Sequence, residues 1–164
     1  MIEVRHVRPE DWESLKVIRL EALTDSPDAF CATYEEAVAD EDSVWIERSS
    51  AVAAEDATVS VLAFDDDETV GMAVGTLCTD GGMNVLSLFV TPGQRGTDTA
   101  SQLMTMIETW GLERGANRVT LEVLAGSDRA ATFYARLGYQ PTGRRETYPG
   151  RVWLHRIELT KPLS

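Results

Sequence analysis

Leu86-Ser87-Leu88-Phe89-Val90-Thr91-Pro92-Gly93-Gln94-Arg95-Gly96-Thr97-Asp98-Thr99-Ala100 is the run on which the fold turns. An apolar strand pattern ends at a Pro-Gly turn, and a helical pattern begins at about Asp98. A helix start presents unpaired backbone N–H groups and the positive end of its dipole. A glycine-bearing loop feeding that start wraps its amides around a phosphate, and Arg95 adds a fixed positive charge beside it. Taken alone, the run supports a phosphate site and an ordinary turn into an amphipathic helix equally.

Downstream, Ala100, Leu103, Met104, Ile107 and Trp110 form one apolar stripe, predicting a helix over about 98–114 that stops at Gly115. Residues 117–124 read as a buried strand with Val119, Leu121 and Val123 on one face, which turns Glu122 to the other. Ser127-Asp128 can cap a short helix bearing Ala130, Phe133, Tyr134 and Leu137, closed by Gly138. Strands at about 139–147 and 151–159 follow. Upstream, residues 2–7 read as a strand, and a helix starts near Pro9 with Trp12, Leu15, Ile18 and Ala22 on one face. Asp25-Ser26-Pro27-Asp28 breaks it, and a second helical stretch is predicted over about 34–50. Strands at 57–64, 69–79 and 83–91 form an antiparallel meander through the turns Asp65-Asp66-Asp67 and Asp80-Gly81-Gly82. The strand–helix–strand unit from 83 to 124 is expected to be parallel and right-handed. The whole predicts an α/β (α+β) fold with a mixed, mostly antiparallel sheet of six or seven strands and helices on both faces. Residues 1–164 are expected to form a single domain.

Composition narrows the function. Twenty-seven acidic residues against 15 basic ones give a net charge of -12, which repels nucleic acid and suits a cationic acceptor. Only Lys16 and Lys161 are lysines, so genome or habitat explains the acidity equally well. No apolar run approaches the roughly 18 residues of a membrane span, and the N-terminus lacks a signal-peptide stretch, so a cytoplasmic protein is expected. Cys31 and Cys78 lack the CxxC spacing and read as small core-like side chains. His6 and His155 lie in strand-like segments without a ligand pattern, so no metal is expected.

The first run resembles the acetyl-CoA pyrophosphate motif of the GNAT superfamily of acyl-CoA N-acyltransferases, Arg/Gln-x-x-Gly-x-Gly/Ala. Arg95, Gly96, Thr97, Asp98, Thr99 and Ala100 occupy it in order, with Asp98 standing where the family has glycine. Ser127, Ala130, Phe133, Tyr134, Leu137, Gly138 and Tyr139 resemble the downstream motif Asn-x-x-Ala-x-x-Phe/Leu-Tyr-x-x-Leu-Gly-Phe/Tyr, with Ser127 replacing asparagine. Arg19-Leu20-Glu21-Ala22-Leu23 and Ser26-Pro27-Asp28-Ala29-Phe30 resemble the acceptor-side helices of many members.

The resemblance implies a V-shaped opening between the strands at 83–91 and 117–124. Pantetheine would pair there with the backbone of Leu88, Phe89 and Val90, often at a bulge. The pyrophosphate would rest on the amides from Arg95 to Ala100, with Ser127 and Tyr134 completing the acetyl-CoA site. Asp98 is expected to weaken that binding through its charge and its bulk. The reaction needs a neutral amine, a donor for the oxyanion (Val90 or Phe89 N–H) and a proton for the leaving thiolate. Tyr134 resembles the family's general acid by position. Glu122, Glu35 and Glu36 are candidate bases, none of them assigned. The acceptor is an amine of a small molecule or a peptide, and a homodimer is compatible with the family. The alternatives are a non-catalytic acyl-CoA-binding or sensing module of the same fold, and a purely structural interaction protein.

Overall fold

A computed structural model describes residues 1–30, 33–148 and 150–164; Cys31 lies outside the described residues. Seven strands form one sheet: β1 (Ile2–His6), β2 (Thr58–Asp65), β3 (Glu68–Leu77), β4 (Met83–Val90), β5 (Arg118–Leu124), β6 (Gln140–Tyr148) and β7 (Arg151–Pro162). Their order is β1-β2-β3-β4-β5-β7-β6, antiparallel throughout except for the parallel β4–β5 pair. The helices are α1 (Trp12–Asp25), α2 (Tyr34–Val38), α3 (Asp42–Ala54), α4 (Thr99–Glu113) and α5 (Asp128–Arg136). This is the mixed, mostly antiparallel architecture expected from the sequence.

Strand alternation divides the interior into two layers. On β2, Val61 and Ala63 join the core beneath α4, while Leu62 and Phe64 join a second core with Ile18, Ala22 and Leu23 of α1 and Trp45 of α3. Leu103, Met104 and Ile107 of α4 are almost wholly inaccessible, as the apolar stripe predicts. Gly75 on β3 lets this helix sit close to the sheet, because a Cβ there would lie 2.7 Å from Ile107 Cγ2. Glu108 ties the helix sideways: it accepts from Tyr139 Oη at 2.8 Å and from Lys161 Nζ at 3.0 Å.

The predicted helix over 34–50 is instead two helices. Thr33 and Glu36 form a reciprocal capping box that starts α2, and Ala39 ends it. Glu41, extended at ψ 160, then starts α3, and the intervening Asp40 pairs with Arg48 at 2.9 Å. The break lets Trp45 and Ser49 turn inward from α3 independently of Ala37 on α2.

Candidate active site

The central seam of the sheet is short. β4 and β5 are in register only at Met83–Val119 and Asn84–Thr120, after which the strands part. From Val85 to Val90 the β5-facing edge of β4 therefore carries no strand partner among the described residues. A bulge lies on the same stretch. Met72 pairs with Phe89 and Val74 with Leu86, so the interval that holds Ala73 on β3 holds both Ser87 and Leu88 on β4. Ser87 adopts a left-handed conformation at φ 58, and its Oγ accepts a hydrogen bond from Arg19 Nη1 at 2.9 Å.

The bulge sets which amides face the opening. Thr91 N–H donates to Val70 O at 2.9 Å. Successive N–H groups along a strand point to opposite edges, so Val90 N–H faces the opening and Phe89 N–H turns back to β3. Leu88 and Val90 pack against the α4-side core, whereas Phe89 belongs to the α1-side core.

The strand leads directly into the loop before α4. Thr97 Oγ1 donates to Gln94 O at 2.6 Å, and Thr99 Oγ1 donates to Gln94 Oε1 at 3.0 Å. These bonds draw the loop tight around Gly96, whose φ of +80 suits a glycine. Among the described residues, the N–H groups of Gly96, Asp98, Ala100 and Ser101 have no hydrogen-bond partner. They cluster at the start of a 15-residue helix, where the dipole favours an anion.

Asp98 takes the N-cap position at φ -77 and ψ -5, and its side chain makes no cap hydrogen bond. Its exposed carboxylate lines a groove with Val4 and His6 of β1 and Ser101 and Gln102 of α4. A left-handed conformation is therefore not required at this position. Ser127 likewise precedes α5 without capping it, contrary to the cap expected there. Arg95 is ion-paired to Asp25 at the end of α1. The Asp25 carboxyl is held below its ordinary range by a hydrogen bond from Ser26, by the pairing with Arg95 and by the charge of Arg129 on α5. The ends of α1 and α5 and the loop before α4 thus meet around one carboxylate.

Tyr134 is buried in the α4-side core that also receives Leu88 and Val90. Phe133 and Tyr139 meet its ring edge-on, with centroids 5.0 and 5.6 Å away. Its hydroxyl makes no hydrogen bond among the described residues, and its tip keeps contact with solvent. Burial pushes the phenol above its ordinary value of 10.

On the opposite face, toward α1, a cleft of about 720 Å³ opens where β4 and β5 part. Glu122, on the face of β5 opposite Leu121 and Val123, borders this cleft and is ion-paired to Arg156 at 2.9 Å. Glu35 and Glu36 lie on α2 outside its lining. Cys78, half-buried, also borders it. The acidic excess of the whole chain is not carried into this cleft. Four arginines line it against three carboxylates, Asp80, Glu122 and Glu158. Sequence reasoning missed Gln94, Asp25 and the Arg19–Ser87 bond. Gln94 lies inside the quoted run, but the other two depend on contacts between distant segments.

The splayed parallel strand pair thus leads into a helix start with open amides, an arrangement that suits an extended ligand ending in an anion. The model of the Acetyltransferase (GNAT) family matches residues 13–139, and the chain belongs to that family. An uncharacterised N-acetyltransferase of Mycobacterium bovis is 34% identical over 80 residues, covering 49% of this chain and 51% of that protein. The chain thus spans about half the length of the curated relatives it matches. A GNAT-family acetyltransferase from Streptococcus pneumoniae superposes at a TM-score of 0.84 with 14% identity over 100% of both chains. PaiA N-acetyltransferase from Thermoplasma acidophilum, solved in complex with coenzyme A, gives 0.72 with 18% identity over 99% of each. Among the described residues, no helix is long and apolar enough to cross a membrane.

Proposed function

We propose that the protein transfers an acetyl group from acetyl-CoA to an amine by direct attack. The observation that carries this reading is the open edge of β4 running into the unpaired N–H groups of Gly96, Asp98, Ala100 and Ser101. That path offers backbone partners to a pantetheine amide and then an anion site to a diphosphate. The family membership supports the same donor, and the solved relative from Thermoplasma acidophilum holds coenzyme A.

In this reading Leu88, Phe89 and Val90 frame the pantetheine, and Arg95, Gly96, Thr97, Asp98, Thr99 and Ala100 surround the diphosphate. Ser127 flanks the donor at the start of α5. The amine nitrogen attacks the thioester carbon from the α1 side, and the developing oxyanion accepts a hydrogen bond from Val90 N–H. The C–S bond then breaks, and Tyr134 Oη supplies the proton to the leaving thiolate as general acid. Its raised pKa keeps the phenol protonated but makes full transfer to a thiolate, ordinarily near pKa 8.5, uphill. The hydrogen bond to sulfur therefore carries most of the effect, and solvent restores the phenolic proton. The amine proton leaves through water in the cleft that Glu122 borders. The protein works in the cytoplasm on a small-molecule or peptide amine, with a homodimer as the compatible assembly.

Release of free CoA thiol from acetyl-CoA across a panel of amines tests this function. Acetyl-CoA binding without turnover of any amine would favour the acyl-CoA-sensing module instead. No binding at all would remove both.

A further inference from the structure

We propose that the acceptor amine carries an anionic oxygen group, a carboxylate or a phosphate, close to the nitrogen, and that Arg19 binds it. The inference rests on the transferase reading above and names the substrate class of the same site.

The charge pattern of the cleft is the first support. The chain carries 27 acidic and 15 basic residues, so an average patch of its surface is acidic by nearly two to one. The cleft departs from this: Arg19, Arg118, Arg144 and Arg156 line it against Asp80, Glu122 and Glu158, while Glu146, outside the lining, pairs with Arg144 and Arg156. The three carboxylates are each engaged within the cleft. Asp80 meets Arg118 at 2.5 Å, Glu122 meets Arg156 at 2.9 Å, and Glu158 lies 3.9 Å from Arg144. A polycationic amine entering here would have to displace guanidinium groups from these partners.

The position of Arg19 is the second support. Its Nη1 donates to Ser87 Oγ at 2.9 Å, and its guanidinium lies 5.2 Å from the centroid of the Phe30 ring. Both contacts fix the group at the bulge, one residue before the Leu88–Val90 stretch at which the thioester is proposed to lie. A guanidinium is planar and donates in a fork that matches carboxylate and phosphate oxygens. An acceptor anchored there by its anion extends its amine along β4 toward Val90 N–H, three residues further on, as a small amino acid or a short amino-alkyl phosphate would. The volume of about 720 Å³ suits a small molecule of that kind.

The test uses matched acceptors that differ in the anionic group: phenylalanine against phenethylamine, and phosphoethanolamine against ethanolamine, with spermidine as a polycation. CoA release with the intact protein should favour the anionic member of at least one pair by about tenfold or more in kcat/KM. Which pair responds distinguishes carboxylate from phosphate. Arg19→Gln should raise KM for that anionic acceptor at least tenfold, leave the values for the partner amine that lacks the anion within about twofold, and preserve acetyl-CoA affinity measured by calorimetry. Arg19→Lys should recover part of the loss. The proposal fails if the amines lacking an anion, or spermidine, are preferred, or if Arg19→Gln weakens both members of a pair equally. If acetyl-CoA binds but nothing turns over, calorimetric titration of the same pairs onto the CoA complex decides the matter. Preferential binding of the anionic member, lost in Arg19→Gln, upholds the inference, and equal or absent binding overturns it. Failure to bind acetyl-CoA would instead remove the transferase reading on which the inference rests.

Discussion

Asp25, the last residue of α1, holds the guanidinium of Arg95 in the loop before α4, although 70 residues separate them in the chain. Both side chains are about three-quarters buried, so the pair is partly shielded from solvent. Asp25 orients Arg95 but also places a negative charge beside the proposed diphosphate. The repulsion is the larger effect, since two like charges interact over more than one contact distance while orientation can be kept by a neutral amide. Asp25→Asn is therefore expected to tighten acetyl-CoA binding by roughly two- to fivefold at low salt, with the gain shrinking as salt rises. Calorimetric titration at two ionic strengths checks it, and weaker binding would show that orientation dominates.

Tyr134→Phe should lower kcat by roughly 10²-fold with acetyl-CoA affinity nearly intact, because the ring packing survives and only the hydroxyl is lost. Burial raises the phenol above 10, so its ionisation should produce no falling limb in kcat below about pH 10. An unchanged kcat, measured where chemistry limits the rate, would take Tyr134 out of the mechanism.

Asp98→Asn and Asp98→Gly separate charge from backbone. The φ of -77 means that a glycine's freedom is unused here, and the side chain turns toward the β1 groove. Both variants should tighten acetyl-CoA by a similar factor, roughly two- to threefold, from the lost charge alone. A glycine variant several-fold tighter than the asparagine variant would show that bulk near the phosphate is the real obstacle.

Asp11 supplies a stability test away from the site. Arg5 bonds its carboxylate at 2.6 and 2.9 Å, and Arg8 N–H adds a third bond at 2.7 Å. The Arg5 hydrogen bonds first, and then the Arg8 amide, depress its carboxyl below 3.8. A depressed carboxyl stabilises the fold above its unfolded value and loses that contribution as pH falls through the folded value. Asp11→Asn should cost about 2–4 kcal/mol at pH 7, because it leaves Arg5 without its main partner. Urea midpoints of the two proteins should converge below about pH 3.8. A constant gap would place the effect in packing.

Periodic segments were the legible part of this fold. The stripe from Ala100 to Trp110 gave α4, and the alternation of Val119, Leu121 and Val123 put Glu122 on the opposite face of β5, although only the assembled sheet shows that a cleft opens on that face. The spacing from Ser127 to Tyr139 marked the family because those residues pack locally, with Tyr139 meeting Tyr134 across a helix end. The break at Ala39-Asp40-Glu41 was hidden because no glycine or proline marks it; a capping box at Thr33 and the inward turn of Trp45 produce it. The left-handed Ser87 had no local signal either, since serine is not a residue that announces such a conformation. Arginines meeting carboxylates across the cleft belong to different strands or, for Asp80, to the β3–β4 turn, so their balance emerges only when the sheet is assembled.

The two-rung seam between β4 and β5 has a mechanical consequence. It divides the sheet into a four-strand half and a three-strand half, laced together at Met83–Val119 and Asn84–Thr120 and bridged above by α4. Whatever lies along Val90 in the gap supplies rungs that the chain itself does not. Occupancy is then felt as tension across the middle of the molecule: amide hydrogen exchange should slow first on the facing edges of the two halves, while the outer strands β1 and β6 stay indifferent.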